Sequence, residues 1–219
     1  MGITVNTPPP PRLSTEEIEA WRDIPVSIAV DLEPSRQIDT SIRALTSAAH
    51  PVRLFGPAVT VSCTPPDFGA VVQVLDFVRK GDVVVVTTNG LMDCAVVGDI
   101  LGGHLRDIGC AGLVVDGLVR DIETLGGWPD FPVFAQGVNP RGPSSASDGK
   151  INGAIDVGGC SVTPGDLIIG DRDGLVALSP DQVRSQIGAA REKIATEEIW
   201  VNELKAGKSA AEVFGLSVD

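Results

Sequence analysis

The run Val83-Val84-Val85-Val86 constrains this chain most. Four consecutive β-branched residues with no polar alternation suit a strand buried on both faces. That is the habit of parallel strands covered by helices. Comparable segments lie around it. Val59 to Cys63 reads as a short strand, Leu113-Val114-Val115 as a second buried strand ended by Asp116-Gly117, and Phe131 to Ala135 as a third. Between them, Phe68 to Lys80 places Val71, Val74, Leu75 and Val78 at i, i+3, i+4 and i+7, the stripe of an amphipathic helix. A helix opens at Gly98-Asp99 and reaches Ile108, and residues 119–126 form a short one. This alternation over residues 57–135 predicts a largely parallel, layered α/β core.

The flanks read differently. Pro8 to Pro11 form a stiff extended arm, and Ser14-Thr15-Glu16-Glu17 has the form of a helix N-cap with acids in the first turn. From about residue 150 the chain turns to short strands punctuated by glycine: Val157 to Val162, Leu167 to Gly170 and Leu175 to Leu178. These predict a small antiparallel unit on the same core. Pro180-Asp181 opens a long helix to about Leu204, with Val183, Ile187, Ile194 and Val201 on one side. The expected organisation is a core domain over residues 1–180 and a C-terminal helical extension over 181–219.

Composition removes several classes of function. The net charge is -12 with no basic stripe, so nucleic acid and anionic membranes are poor partners. No apolar run is long enough to span a bilayer, and the N-terminus lacks the secretory pattern, so a cytoplasmic protein is expected. Cys63, Cys94, Cys110 and Cys160 form no C-x-x-C pair and read as buried free thiols. With only His50 and His104, a three-histidine metal centre is excluded.

The chemistry concentrates between Gly98 and Glu123. Asp99 sits at a helix start, beside amides that have no partner within the helix. Arg120 and Asp121 follow a strand, and ligands of open α/β sheets bind beyond the carboxyl ends of strands. Two carboxylates suit a hard cation such as Mg²⁺ or Mn²⁺, and a guanidinium beside them suits a substrate carboxylate. Spacing alone also fits two helix caps and a surface ion pair.

An ordered series of blocks is more specific. Asp99 is followed by twenty residues and then Arg120-Asp121. Around this lie Gly56-Pro57-Ala58-Val59-Thr60-Val61, Gly112-Leu113-Val114-Val115-Asp116-Gly117, Phe131-Pro132-Val133-Phe134-Ala135, and Pro164-Gly165-Asp166 running to Asp171-Arg172-Asp173-Gly174. Over roughly residues 25–210 the chain resembles the family that joins 4-hydroxy-4-methyl-2-oxoglutarate and 4-carboxy-4-hydroxy-2-oxoadipate aldolases with the regulator of ribonuclease activity A. The resemblance implies a layered α/β/β/α core of the swivelling type with a C-terminal helical extension. It implies a homotrimer or homohexamer that uses Mg²⁺ or Mn²⁺ to cleave a keto acid to pyruvate, with oxaloacetate decarboxylation as a second activity. Residue by residue, Asp121 matches the direct metal ligand, Asp99 the residue that holds metal-bound water, and Arg120 the residue on the pyruvyl group. The turn Gly98, Asp99, Ile100, Leu101 matches the loop whose amides cradle the substrate carboxylate. Glu197, or else Glu198, matches a glutamate that reaches the metal's water from a neighbouring subunit.

Other residues read more plainly. His104 is expected on a helix surface, Asp171 and Asp173 in a tight turn, Asp116 at a strand end, and Arg141 in a loop within reach of a distal substrate carboxylate. Gly102-Gly103 predicts a helix entrance that is distorted, or closely approached by another chain or a ligand. The competing functions are a non-enzymatic regulator of an endoribonuclease and a same-fold lyase acting on another keto acid. A quinone methyltransferase is excluded, because no Gly-rich loop is present to hold a nucleotide-like methyl donor.

Overall fold

The computed structural model describes residues 2–6 and 13–216; the Pro8 to Pro11 arm lies outside the described residues. The first part contains β1 (Ile3–Val5), α1 (Thr15–Glu19), α2 (Val26–Leu32), β2 (Gln37–Ile38) and β3 (Arg43–Ala44). The central part contains β4 (Leu54–Ser62), α3 (Gly69–Gln73), β5 (Val83–Thr87), β6 (Ala95–Val97), α4 (Asp99–Asp107), β7 (Gly112–Val119), α5 (Ile122–Leu125) and β8 (Val133–Val138). Then come β9 (Gly149–Ile151), β10 (Ile155–Val157), β11 (Cys160–Val162), β12 (Leu167–Gly170), β13 (Leu175–Leu178), α6 (Pro180–Lys205) and α7 (Ala210–Val213).

One large sheet runs in the order β2-β13-β12-β4-β5-β7-β8-β3, with β6 beside the end of β7. Its centre, β4-β5-β7-β8, is parallel, and its flanks are antiparallel. The valine run is the middle of this centre and is fully buried. On one face Val59, Val84, Val86 and Val115 pack against Val71, Leu105 and Leu125 of α3, α4 and α5. On the other face Val83, Val85 and Val114 share a core with Ile168 and Ala177 of β12 and β13 and with Ile155, Val157, Cys160 and Val162 of β10 and β11. The outer faces of β12 and β13 carry Leu167, Ile169, Val176 and Leu178, which are covered by α1, α2 and the first half of α6. The order of layers is therefore helix, sheet, sheet, helix. Trp21, wholly buried, donates its indole N–H to the Val183 carbonyl at 2.9 Å and ties α1 to α6.

Several elements depart from the sequence expectation. Phe68 to Lys80 is not one helix: α3 ends at Gln73 and a 3₁₀ turn follows over Val74–Asp76. Three valines within four residues and an N-cap at Phe68 without a side-chain bond leave little to sustain a longer helix. A short strand that the sequence reading does not include, β6, precedes the helix that opens at Asp99. β7 does not stop at Asp116-Gly117 but continues to Val119. Val157 to Val162 is not one strand. Gly158 and Gly159, at φ 52° and 72°, turn it into the hairpin β10-β11, as a two-glycine primed turn should. The segments Leu167–Gly170 and Leu175–Leu178, by contrast, do form an antiparallel layer on the same core: they pair with each other, with β2 and with the start of β4, and lie over the other face of the parallel strands.

Candidate active site

Two crossings bring the predicted residues together. β6 delivers Gly98-Asp99 into α4, and β7, hydrogen-bonded alongside β6, delivers Arg120-Asp121 into α5. The Arg120 amide still donates to the Val97 carbonyl at 3.0 Å, so the two chain segments leave the sheet edge side by side. Both lie beyond the carboxyl ends of parallel strands.

Asp121 takes the left-handed conformation, φ 58° and ψ 42°. This turns its carboxylate away from its own helix, where it makes no cap, and toward α4. Its Oδ2 accepts the Asp99 amide at 3.2 Å, so Asp121 caps α4 from another element and faces the positive end of that helix. The same oxygen lies 3.3 Å from Arg120 Nε, and both side chains are partly exposed. The Ile100 and Leu101 amides, in the first turn of α4, have no intrahelical acceptor. No described residue bonds Asp121 Oδ1. Gly98 is what makes this closeness possible: a Cβ there would lie 2.4 Å from Asp121 Oδ2 and 3.0 Å from Arg120 Cγ.

Gly98, Asp99, Ile100, Leu101, Arg120 and Asp121 thus form one cluster. Glu197 does not join it within the chain. It lines a different surface cleft with Asp23, Pro25, Glu198 and Lys205, on a helix packed against α1, α2 and β13. Among the described residues no three His, Cys, Asp or Glu side chains gather as a metal-binding group. His104 is exposed on α4 as expected. Asp171 closes a tight turn by accepting the Asp173 amide at 2.9 Å. Asp116 is no strand end: it is nearly buried in mid-strand, accepts from Gln136 Nε2 and from the Gly158 amide at 2.9 Å, and anchors the hairpin. The approach predicted at Gly102-Gly103 comes from this chain, since a Cβ at Gly102 would lie 2.8 Å from Leu125 Cδ2 and one at Gly103 3.6 Å from Trp128.

Sequence reasoning missed the residues that hold the site from above. A Cβ at Gly142 would lie 2.5 Å from Arg120 Nη1, so the loop after β8 passes directly over the guanidinium. That loop is clamped by Asp67. Its carboxylate accepts from Ser145 Oγ, from the Gly69, Ser147 and Asp148 amides at 2.9–3.0 Å, and from Ser147 Oγ at 2.9 Å. Burial pushes the Asp67 carboxyl up, but these hydrogen bonds together outweigh it and hold the group well below the usual carboxylate range. Ser144-Ser145-Ala146-Ser147 was the available signal, a donor-rich run, but the neighbouring Asp148 offers a local acceptor and hides the distant one. Beside Arg120 opens a cavity of about 260 Å³, with walls that include Phe68, Val72, Val97, Leu101 and Pro143. Cys63, Cys94, Cys110 and Cys160 are all buried; burial raises their thiols, to about 12 for Cys63 and about 11 for Cys110, which disfavours the thiolate form.

Comparison with known proteins gives the family. A relative in Halalkalibacterium halodurans, provisionally named a 4-hydroxy-4-methyl-2-oxoglutarate aldolase, is 33% identical over 182 residues, covering 83% of this chain and 85% of the relative. An uncharacterised protein of Pseudomonas syringae pv. tomato shares the fold at a TM-score of 0.80 and 23% identity, over 93% of this chain and 99% of that one. RraAS2 of Streptomyces coelicolor, described as an unusual member of the RNase ES inhibitor RraA protein family, aligns at a TM-score of 0.77 and 25% identity, over 87% of this chain and 98% of its own. The family model for RraA-like proteins, described as Aldolase/RraA, matches residues 26–177, and the chain belongs to that family.

Proposed function

We propose that this chain is a divalent-metal-dependent lyase that cleaves 4-hydroxy-4-methyl-2-oxoglutarate-type keto acids to pyruvate and a second keto acid, and decarboxylates oxaloacetate. The observation that carries this reading is the Asp121 carboxylate, turned by a left-handed residue onto the open end of α4 beside Arg120. The donor set fits a hard cation. Asp121 offers a carboxylate oxygen that no described residue bonds, and Asp99 would hold the ion through water. With few protein ligands the remaining positions would be water, the usual condition of Mg²⁺. When bound, the cation withdraws electron density from the substrate's 2-keto oxygen and carboxylate.

This chain's own groups supply the rest. Arg120 fixes the pyruvyl end, and the Ile100 and Leu101 amides receive its carboxylate. The proton of the C4 hydroxyl leaves toward water held by Asp99. The C3–C4 bond breaks, its electron pair forms the pyruvate enolate, and protonation at C3 releases pyruvate. Oxaloacetate loses CO₂ through the same enolate. Nothing in the sequence calls for a lysine Schiff base. Glu197 of a neighbouring copy, in a trimer or hexamer, is the proposed final carboxylate.

The test is pyruvate release from 4-hydroxy-4-methyl-2-oxoglutarate and from oxaloacetate, with Mg²⁺ and with chelator. Release with Mg²⁺ and none with chelator is expected. Turnover that survives chelation rejects the metal, and no turnover of either compound rejects the lyase. A regulator that binds an endoribonuclease is the second reading, favoured by the structural likeness to RraAS2. It predicts nuclease inhibition without pyruvate.

A further inference from the structure

The cavity beside Arg120 has a chemical character of its own. Its walls come from three elements: Phe68 and Val72 from the α3 region, Ala95 to Val97 from β6, and Ile100 and Leu101 from α4. Pro143 closes it from the loop held by Asp67. Among its lining residues Arg120 alone is charged, and no other lining side chain can donate or accept a hydrogen bond. Arg141, two residues from Pro143, is exposed and does not line it. The cavity and the site cluster share Gly98, Ile100, Leu101 and Arg120, so a keto acid gripped at its pyruvyl end by Arg120 and the two amides has its remaining carbons against the apolar walls. About 260 Å³ is several times the roughly 30 Å³ that one water occupies in the liquid, and a methyl group would leave most of it empty.

The geometry points to a subsite for an apolar substituent at C4, so that this chain turns over 4-hydroxy-2-keto acids bearing an alkyl group larger than methyl and disfavours an acidic arm in that position. The inference rests on the keto-acid reading of the site. An alkyl chain gains by leaving water for these walls, whereas a second carboxylate placed there would be desolvated with no partner beyond Arg120 and the Ile100 and Leu101 amides, which already hold the other end. A C4 carboxylate is accommodated only where it points out of the cavity.

Calorimetric titration of the Mg²⁺-loaded protein tests this without turnover. The ligands are pyruvate, 2-oxobutanoate, 2-oxopentanoate and 2-oxohexanoate, with 2-oxoglutarate and 2-oxoadipate as acidic counterparts. None has a 4-hydroxyl, so none can undergo the cleavage. Each added methylene is expected to tighten Kd about fourfold, and 2-oxoadipate is expected to bind at least about tenfold more weakly than 2-oxohexanoate. Val72 is 39% exposed, so Val72→Arg should fold while placing a cation in the wall; it should reverse the order of 2-oxohexanoate and 2-oxoadipate. A flat chain-length series, or tighter binding of 2-oxoadipate by the unsubstituted protein, overturns the subsite. Chain-length-dependent binding with no pyruvate from any 4-hydroxy-2-keto acid overturns the lyase reading and leaves the subsite in place. Pyruvate release with a flat series does the reverse.

Discussion

Asp121 makes two demands at one position: a backbone that accepts φ 58° and a carboxylate aimed at α4. Asn meets the first and lacks the charge, whereas Ala meets neither, since a left-handed residue with an ordinary Cβ costs about 1–2 kcal/mol. Asp121→Asn should therefore melt close to the wild type, with kcat/KM lower by on the order of 10²–10³-fold. Asp121→Ala should lose both activity and melting temperature. Gly98 is the complementary case. Its side of α4 is filled by Asp121 Oδ2, so Gly98→Ala should leave the sheet intact and shift the carboxylate and Arg120, with a loss of about 10² in kcat/KM. Asp67 gives a pH signature. Its folded value lies below the ordinary 3.8, so its stabilisation is complete above that value and is lost as pH falls through and below it. The difference in stability between wild type and Asp67→Ala, followed by denaturant unfolding, should be largest near neutral pH and shrink below about pH 4. A constant difference down to pH 2 would show that the clamp is not ionic.

At the scale of elements, the buried strands were legible because period and length spoke together, as in Val83 to Val86 and Leu167 to Gly170. What failed was local and had physical causes. β6 has only three residues and borrows its order from β7, a long-range pairing that no window can reveal. Gly117 looked like a stop, but it is a contact: a Cβ there would lie 2.5 Å from Thr88 Cγ2, and the strand runs on past it. The cluster was legible through the family resemblance, since spacing alone also fits two helix caps and a surface ion pair; its conformation was not legible, because the left-handed turn at Asp121 has no pattern in sequence. Asp67 was invisible because its partner Ser145 lies 78 residues away. The glycine pair of α4 separates two effects. Gly103→Ala meets Trp128 at an ordinary 3.6 Å and should stabilise the helix by about 0.5–1 kcal/mol. Gly102→Ala meets Leu125 Cδ2 at 2.8 Å inside the core and should lower the melting temperature. Equal shifts in the two variants would mean that helix propensity alone governs this turn.

At the scale of the molecule, α6 is divided. Val183 and Ala190 are buried in the third core cluster, and Ile187 and Ile194 pack on it. Beyond Ile194 the apolar residues Ile199, Val201 and Leu204 are 57%, 47% and 39% exposed, so the predicted apolar stripe continues past the core that uses it. Glu197 stands at this junction, in a cleft remote from Asp99, Arg120 and Asp121. A single copy brings the Asp121 carboxylate and the Asp99 backbone to the site, and a carboxylate from α6 can join them only if another copy supplies it. This makes a specific expectation about mixtures. Asp121→Asn and Glu197→Gln should each be nearly inactive alone. Co-refolded at equal amounts into a closed ring with random order, a site drawing Asp121 from one subunit and Glu197 from its neighbour is intact when both donors are the unaltered ones. Activity should then return to about a quarter of the wild-type value. A Glu197→Gln protein that is fully active alone would remove Glu197 from the site. A mixture that stays as inactive as its parts would confine each site to one chain.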